Sequence, residues 1–164
     1  LFIEENIEQK LNQIFDSEIK LKSGGYLVIN PTEALVSIDI NSGSSIKGKN
    51  VESTALDTNI EAAEEIAHQL RLRDIGGIIV IDFIDMEVEK NREVVANSLR
   101  EALLRDKTRT QVFDISELGL VEMTRKRIGE GLIESFTDEC DDCSGRGFVL
   151  DEKLVSASDG GKHR

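Results

Sequence analysis

The stretch that constrains this chain most is Gly76-Gly77-Ile78-Ile79-Val80-Ile81-Asp82-Phe83-Ile84-Asp85. Two glycines close what precedes it, and the run of β-branched residues that follows reads as a buried strand. It ends on Asp82, where a sheet interior would rarely hold an ionised carboxylate without a partner. Val36-Ser37-Ile38-Asp39-Ile40-Asn41 has the same character. Strand side chains alternate between faces, so Val36, Ile38 and Ile40 point one way and Ser37, Asp39 and Asn41 the other. If the two strands are neighbours, Asp39, Asp82 and the Asn41 amide oxygen converge. Hard oxygen ligands of this kind suit Mg²⁺ or Mn²⁺.

Between these strands the apolar phase of Ile60, Ala63, Ala67 and Leu70 predicts a helix beginning between Ser53 and Asn59 and ending near Arg73. Strand, helix and strand make a βαβ unit. Its strands are expected to be parallel, with the acids near their C-terminal ends, where ligands commonly bind. The fold class is α/β. Ile3, Ile7, Leu11, Ile14, Phe15 and Ile19 follow a helical period at the start. Tyr26–Asn30 is a short strand after the Ser23-Gly24-Gly25 turn. A second helix is expected over Glu87–Lys107 with Val88, Val95, Leu99, Ala102 and Leu103 inward. Thr110–Ile115 reads as a strand, and Gly119–Ile128 as strand or short helix.

With 164 residues the chain can bury one proper core, and at 4% aromatic content that core must be aliphatic. The formal charge of −12 argues against a generic nucleic-acid binder, though not against an enzyme whose acids hold cations. No apolar run approaches the roughly 20 residues of a membrane span and no signal-peptide pattern opens the chain, so a cytoplasmic protein is expected. Leu1 stands where an initiator methionine would, and a longer parent is expected. The loop Ser42–Asn50 reads first as a solvated connection; its lysines, Lys47 and Lys49, could instead meet a phosphate beside the acids. No Lys-Ser/Thr follows the glycines as a P-loop requires, and no G-x-G-x-x-G follows the first strand. Arg100, Arg105, Lys107 and Arg109 cluster at a helix end, which the helix dipole alone would favour.

Cys140-Asp141-Asp142-Cys143-Ser144-Gly145-Arg146-Gly147 contains both cysteines. Their spacing suits a metal or redox pair, and the following glycines suit a zinc knuckle, where backbone N–H groups approach the thiolates. It is half a tetrahedral site, and neither His68 nor His163 is placed to complete it. Two chains related by a two-fold axis would supply four thiolates and share one Zn²⁺. Residues from Asp151 on read as a loose tail.

Ser23-Gly24-Gly25 through Ile38-Asp39-Ile40-Asn41, Thr58-Asn59, Gln69–Asp74, Gly76–Met86 and Gly119–Arg125 together resemble the catalytic region of the ribonuclease E/G endoribonucleases. The resemblance implies a DNase I-like subdomain, a mixed sheet with flanking helices, over residues 15–136. It implies a zinc-link at 137–150, a flexible tail at 151–164, and a remnant of an RNase H-like portion at 1–14. The S1 RNA-binding domain and the pocket that senses a 5′ monophosphate would lie outside this stretch. It further implies Asp39 and Asp82 holding a catalytic Mg²⁺, Asn41 assisting, and Arg109 near the scissile phosphate. Cys140 and Cys143 match the zinc-link, with Asp141 where the family usually has proline. The implied activity is cleavage of single-stranded RNA in RNA processing and decay, in the cytoplasm or at the inner membrane through parts outside this stretch. The alternative is a zinc-mediated dimerisation module in which the acids are structural.

Overall fold

The computed structural model describes residues 2–43, 50–129 and 131–154. Lys47, Lys49, His163 and most of the expected tail lie outside them. The strands are β1 (Glu18–Lys20), β2 (Tyr26–Pro31), β3 (Val36–Asn41), β4 (Gly77–Asp82), β5 (Thr110–Val112) and β6 (Leu120–Arg125). They form a mixed sheet in the order β1-β2-β3-β4-β6-β5. The βαβ pair β3–β4 is parallel, as expected, and the remaining pairings are antiparallel. The helices are α1 (Phe2–Phe15), α2 (Val51–Leu72), α3 (Glu89–Leu103) and the short α4 (Leu132–Phe136).

Alternation along the strands gives the sheet two unlike faces. Ile38, Ile40, Ile79, Ile81, Val121 and Met123 share one core with α2 and α3. Each such side chain, fully buried, contributes about 1.5–3 kcal/mol of apolar transfer. Ala62, Ala63 and Ala67 are fully buried on α2, and their small size lets helix and sheet approach closely. The opposite face carries Asp39, Ile78, Asp82, Glu122 and Thr124, all exposed. No helix among the described residues is long and apolar enough to cross a membrane.

Helix ends differ from the sequence reading for local reasons. Asn50 caps α2 by accepting the Ser53 N–H at 3.1 Å, so the helix starts at Val51, ahead of its apolar phase. Val88 is not inward: it is the N-cap of α3 and 47% exposed. Its helix lacks a side-chain cap of its own. Glu52 of α2 supplies one, accepting the Glu87 N–H at 3.1 Å, the Val88 N–H at 3.2 Å and the Asn91 amide at 2.9 Å. These bonds, that of Asn91 foremost, and the nearby Arg92 charge lower the Glu52 carboxyl despite its partial desolvation. Ile19 is not on the first helix. The chain leaves α1 at Asp16, and Ile19 pairs with Leu27 in the sheet. Within Gly119–Ile128 the structure holds a strand, β6 over Leu120–Arg125, with Val121, Met123 and Arg125 inward.

Two of the inward groups are guanidinium groups. Arg125, 4% exposed, donates from Nε to Asp106 Oδ2 at 2.8 Å and from Nη1 to Asp74 Oδ1 at 2.9 Å. Arg73, 2% exposed, donates to Gln69 Oε1 at 2.9 Å and to the Asp16 carbonyl at 2.6 Å. Together they tie α1, α2 and β6 to the Gly76 end of β4.

Candidate active site

The register between β3 and β4 pairs Asp39 with Asp82 directly, at the C-terminal ends of two parallel strands. Both side chains belong to the open face, flanked by Val28 on β2 and Leu120 on β6. Asn41 lies two residues beyond Asp39 on the same face, half-buried and opposite Tyr26. The three oxygen-bearing side chains are therefore brought to one end of one face.

Backbone geometry there leaves no room for larger residues. A Cβ on Gly25 would stand 2.6 Å from the Asn41 carbonyl oxygen, and one on Gly43, whose φ is +66°, 2.6 Å from that of Gly24. The turn Ser23-Gly24-Gly25 thus packs directly against the end of β3, and the Ser23 N–H donates to Glu61 Oε2 at 3.2 Å. On the other flank Gly119, at φ +79°, accepts the Phe83 N–H at 3.0 Å. A Cβ there would meet the Phe83 carbonyl oxygen at 2.9 Å and Asp85 Oδ1 at 3.4 Å.

The chain beyond Asp82 is held from α2. Asn59, fully buried, donates from Nδ2 to the Ile84 carbonyl at 2.9 Å and accepts the Ile84 N–H at 3.0 Å. This two-point clamp fixes the backbone between Asp82 and Asp85 as a strand neighbour would. A residue reading of α2 could have singled out Asn59. It is a polar side chain in the inward phase of Ala55, Ala62 and Ile66.

Electrostatics mark the acid pair as unsettled without a counter-charge. Partial burial, then the charges of Asp39 and Asp85, raise the Asp82 carboxyl above its ordinary value of 3.8. A divalent cation would relieve that repulsion, so the donor set fits a hard metal ion. Among the described residues no three His, Cys, Asp or Glu side chains form a metal cage. An ion here would rest on the two carboxylates, the Asn41 oxygen, water and substrate, a sparse protein shell of the kind Mg²⁺ takes.

Arg109 does not join them. It precedes Thr110, whose partner on β6 is Arg125, which in turn faces Gly77 at the start of β4. Arg109 itself lies one step beyond that level, opposite Lys126, so six residue steps of about 3.3 Å place it about 20 Å from Asp82 along the strands.

Cys143 lies in a turn over residues 141–145, with Cys140 immediately before it, outside the strands of the sheet. The Ser144 N–H donates to the Cys140 carbonyl at 2.8 Å and the Gly147 N–H to Cys143 Sγ at 3.4 Å. Hydrogen bonds from the Cys143 and Asp142 backbone, then from the Cys143 side chain, lower the Cys140 thiol. Cys140 is exposed and Cys143 half-buried, both as free thiols. His68 is exposed on α2.

Fold and site together define a class: an α/β protein with paired carboxylates at adjoining parallel-strand ends, a donor set suited to a hard divalent cation. Residues 1–128 match the model of the ribonuclease E/G family. The chain is 49% identical over 96% of its length to ribonuclease E of Escherichia coli strain K12. It is 48% identical over 91% of its length to ribonuclease G of Haemophilus influenzae, and 48% over 92% to ribonuclease G of Escherichia coli strain K12. The chain belongs to the ribonuclease E/G family. It spans 15% of the length of the first of these relatives and 30% of the second.

Proposed function

We propose that this chain is the metal-dependent catalytic portion of an endoribonuclease that cleaves single-stranded RNA in cytoplasmic RNA processing and decay. The direct pairing of Asp39 with Asp82 on the open face carries the reading. Residues 15–136 correspond to a DNase I-like subdomain, residues 137–150 to the zinc-link, and residues 1–14 to the end of an RNase H-like portion.

Asp39 and Asp82 would hold Mg²⁺, with the Asn41 amide oxygen as a neutral ligand or as an anchor for a metal-bound water. The ion, when bound, supplies an activated water and stabilises charge on the phosphoryl oxygens. The chain does the positioning. β3 and β4 fix the spacing of the carboxylates, Gly25 and Gly119 allow the flanking turns to close on them, and Asn59 anchors the segment that follows Asp82. At the other end of the chain, Cys140 and Cys143 would bind Zn²⁺ with the same residues of a second copy. The amide already directed at Cys143 Sγ favours that reading.

The test is cleavage of an RNA oligonucleotide by the full-length protein in Mg²⁺. Asp39→Asn and Asp82→Asn, both folded, should each lose about 10²-fold or more, equal to about 2.7 kcal/mol of barrier. Full activity in either folded variant would overturn the assignment.

A further inference from the structure

Among the described residues, the open face carries two aromatic side chains, one on each flank of the acid pair. Leu27 and Val112 turn into the core, so their chain neighbours Tyr26 and Phe113 fall on the side of Asp39 and Asp82. Tyr26, half-buried on β2, is paired with Asn41. Phe113 follows β5 and extends its ladder, donating its N–H to the Glu122 carbonyl at 3.0 Å, and is 49% exposed.

Register sets the two rings on a diagonal through the acids. Tyr26 is one strand away from β3, at the level of Asn41, two residues beyond Asp39. Phe113 is two strands away from β4, opposite Glu122, which faces Val80, two residues before Asp82. At about 4.8 Å between strands and about 3.3 Å per residue, Tyr26 stands about 8 Å from Asp39 and Phe113 about 12 Å from Asp82. Leu120, paired with Asp82 and 38% exposed, fills the interval toward Phe113.

Charge decides what such rings can meet. Asp82 and Glu122 border the path to Phe113 in a chain of net charge −12, so a phosphate that no cation holds is repelled there. The uncharged parts of a nucleic acid are its bases, and every base offers a π-face to a flat side chain. Phe136 and Phe148 are also exposed, but they lie on α4 and beyond the cysteine turn, outside the sheet.

We propose that Tyr26 and Phe113 are base-stacking platforms for the RNA, one on either side of the scissile phosphate, so that the single strand crosses the face obliquely from β2 to β5. Each ring takes the base of a nucleotide close to the cleavage point. Stacking reads no hydrogen-bond pattern, so both subsites accept any base. They reject a duplex, whose bases are already stacked on one another. The inference rests on the ribonuclease reading.

The test is cleavage by the full-length protein of oligonucleotides that carry one abasic nucleotide at a time. Two positions, one on each side of the cleavage point, should raise KM about 10-fold. In Phe113→Ala one of them should have no further effect, and in Tyr26→Ala the other. Phe113→Tyr and Tyr26→Phe, which keep a ring, should retain the parent's pattern. Phe113→Leu, which keeps apolar surface without a ring, should behave as Phe113→Ala, and Phe136→Ala as the parent. In the Asp39→Asn protein, which leaves the RNA intact, iodouridine at the two positions should photocrosslink to Tyr26 and Phe113. A scan in which neither alanine variant silences a position, a Phe113→Leu variant that behaves as the parent, or the absence of a crosslink to either ring overturns the platforms while Asp39- and Asp82-dependent cleavage stands. RNA that the parent neither binds nor cleaves overturns the ribonuclease reading, and the platforms with it.

Discussion

Asp82 shows at the scale of one residue how a site can work against its own fold. Its carboxyl is held up by burial and by Asp39 and Asp85, so the folded state binds its proton more tightly than the unfolded chain does. The sign follows: stability falls as pH rises through the window between 3.8 and the raised value, and the penalty is fully present above it. Asp82→Asn should therefore stabilise the metal-free protein at neutral pH. The gain should stay below about 1 kcal/mol, because both carboxylates are solvent-exposed. Urea denaturation at several pH values checks this: the advantage of the variant should vanish below about pH 4. A variant less stable than its parent at pH 7 would mean that Asp82 has a structural partner. The sequence made Asp39, Asn41 and Asp82 legible because an acid ending an apolar strand is conspicuous. Asn59 could be seen only as a polar side chain in an apolar helix phase, since its role lies in a backbone 25 residues away.

At the scale of the element, the α2 clamp and the Arg125 cluster carry separate predictions. Asn59→Leu removes both bonds to Ile84 and leaves a backbone N–H and carbonyl without partners, a loss of about 1–3 kcal/mol. Chemical denaturation measures that loss, and cleavage should fall with it because Asp82 and Asp85 flank the clamped residue. A stable Asn59→Leu with full activity would show the clamp to be dispensable. In the second case, burial pushes the Asp106 carboxyl up, but hydrogen bonds from Arg125 and the Thr108 N–H outweigh it, and the net shift is downward. This stability is present above the ordinary carboxylate value and is lost as pH falls through the depressed one. Asp106→Asn should cost about 3 kcal/mol at pH 7, measured by the same denaturation, and flatten the acid limb of the stability profile. These elements also show where sequence reading stops. β3 and β4 declare themselves by β-branched runs, and α2 by its alanine phase. β6 reads ambiguously because its last inward position is Arg125, a cation whose counter-charges, Asp74 and Asp106, come from two other loops. The placement of Arg109 is illegible for a related reason: nothing in its own segment says at which end of the sheet its strand begins.

For the whole molecule, the crossover from β3 through α2 to β4 makes two strand ends one site, and the sheet's bare face leaves that site open to a polymer. The Cys140–Cys143 turn is exposed, so loss of its thiols should separate assembly from folding. Cys140→Ser and Cys143→Ser should each abolish a zinc-dependent dimer in light scattering while the circular dichroism and melting of the monomer stay unchanged. A zinc-loaded monomer, or a dimer that persists without thiols, would contradict the shared site. The central claim, that Asp39 and Asp82 together hold a divalent cation, is tested most directly by Mn²⁺ titration followed by electron paramagnetic resonance, with the parent compared against Asp39→Asn and Asp82→Asn. The account predicts one saturable site in the parent and its loss in both variants. An undiminished site in either folded variant would contradict it.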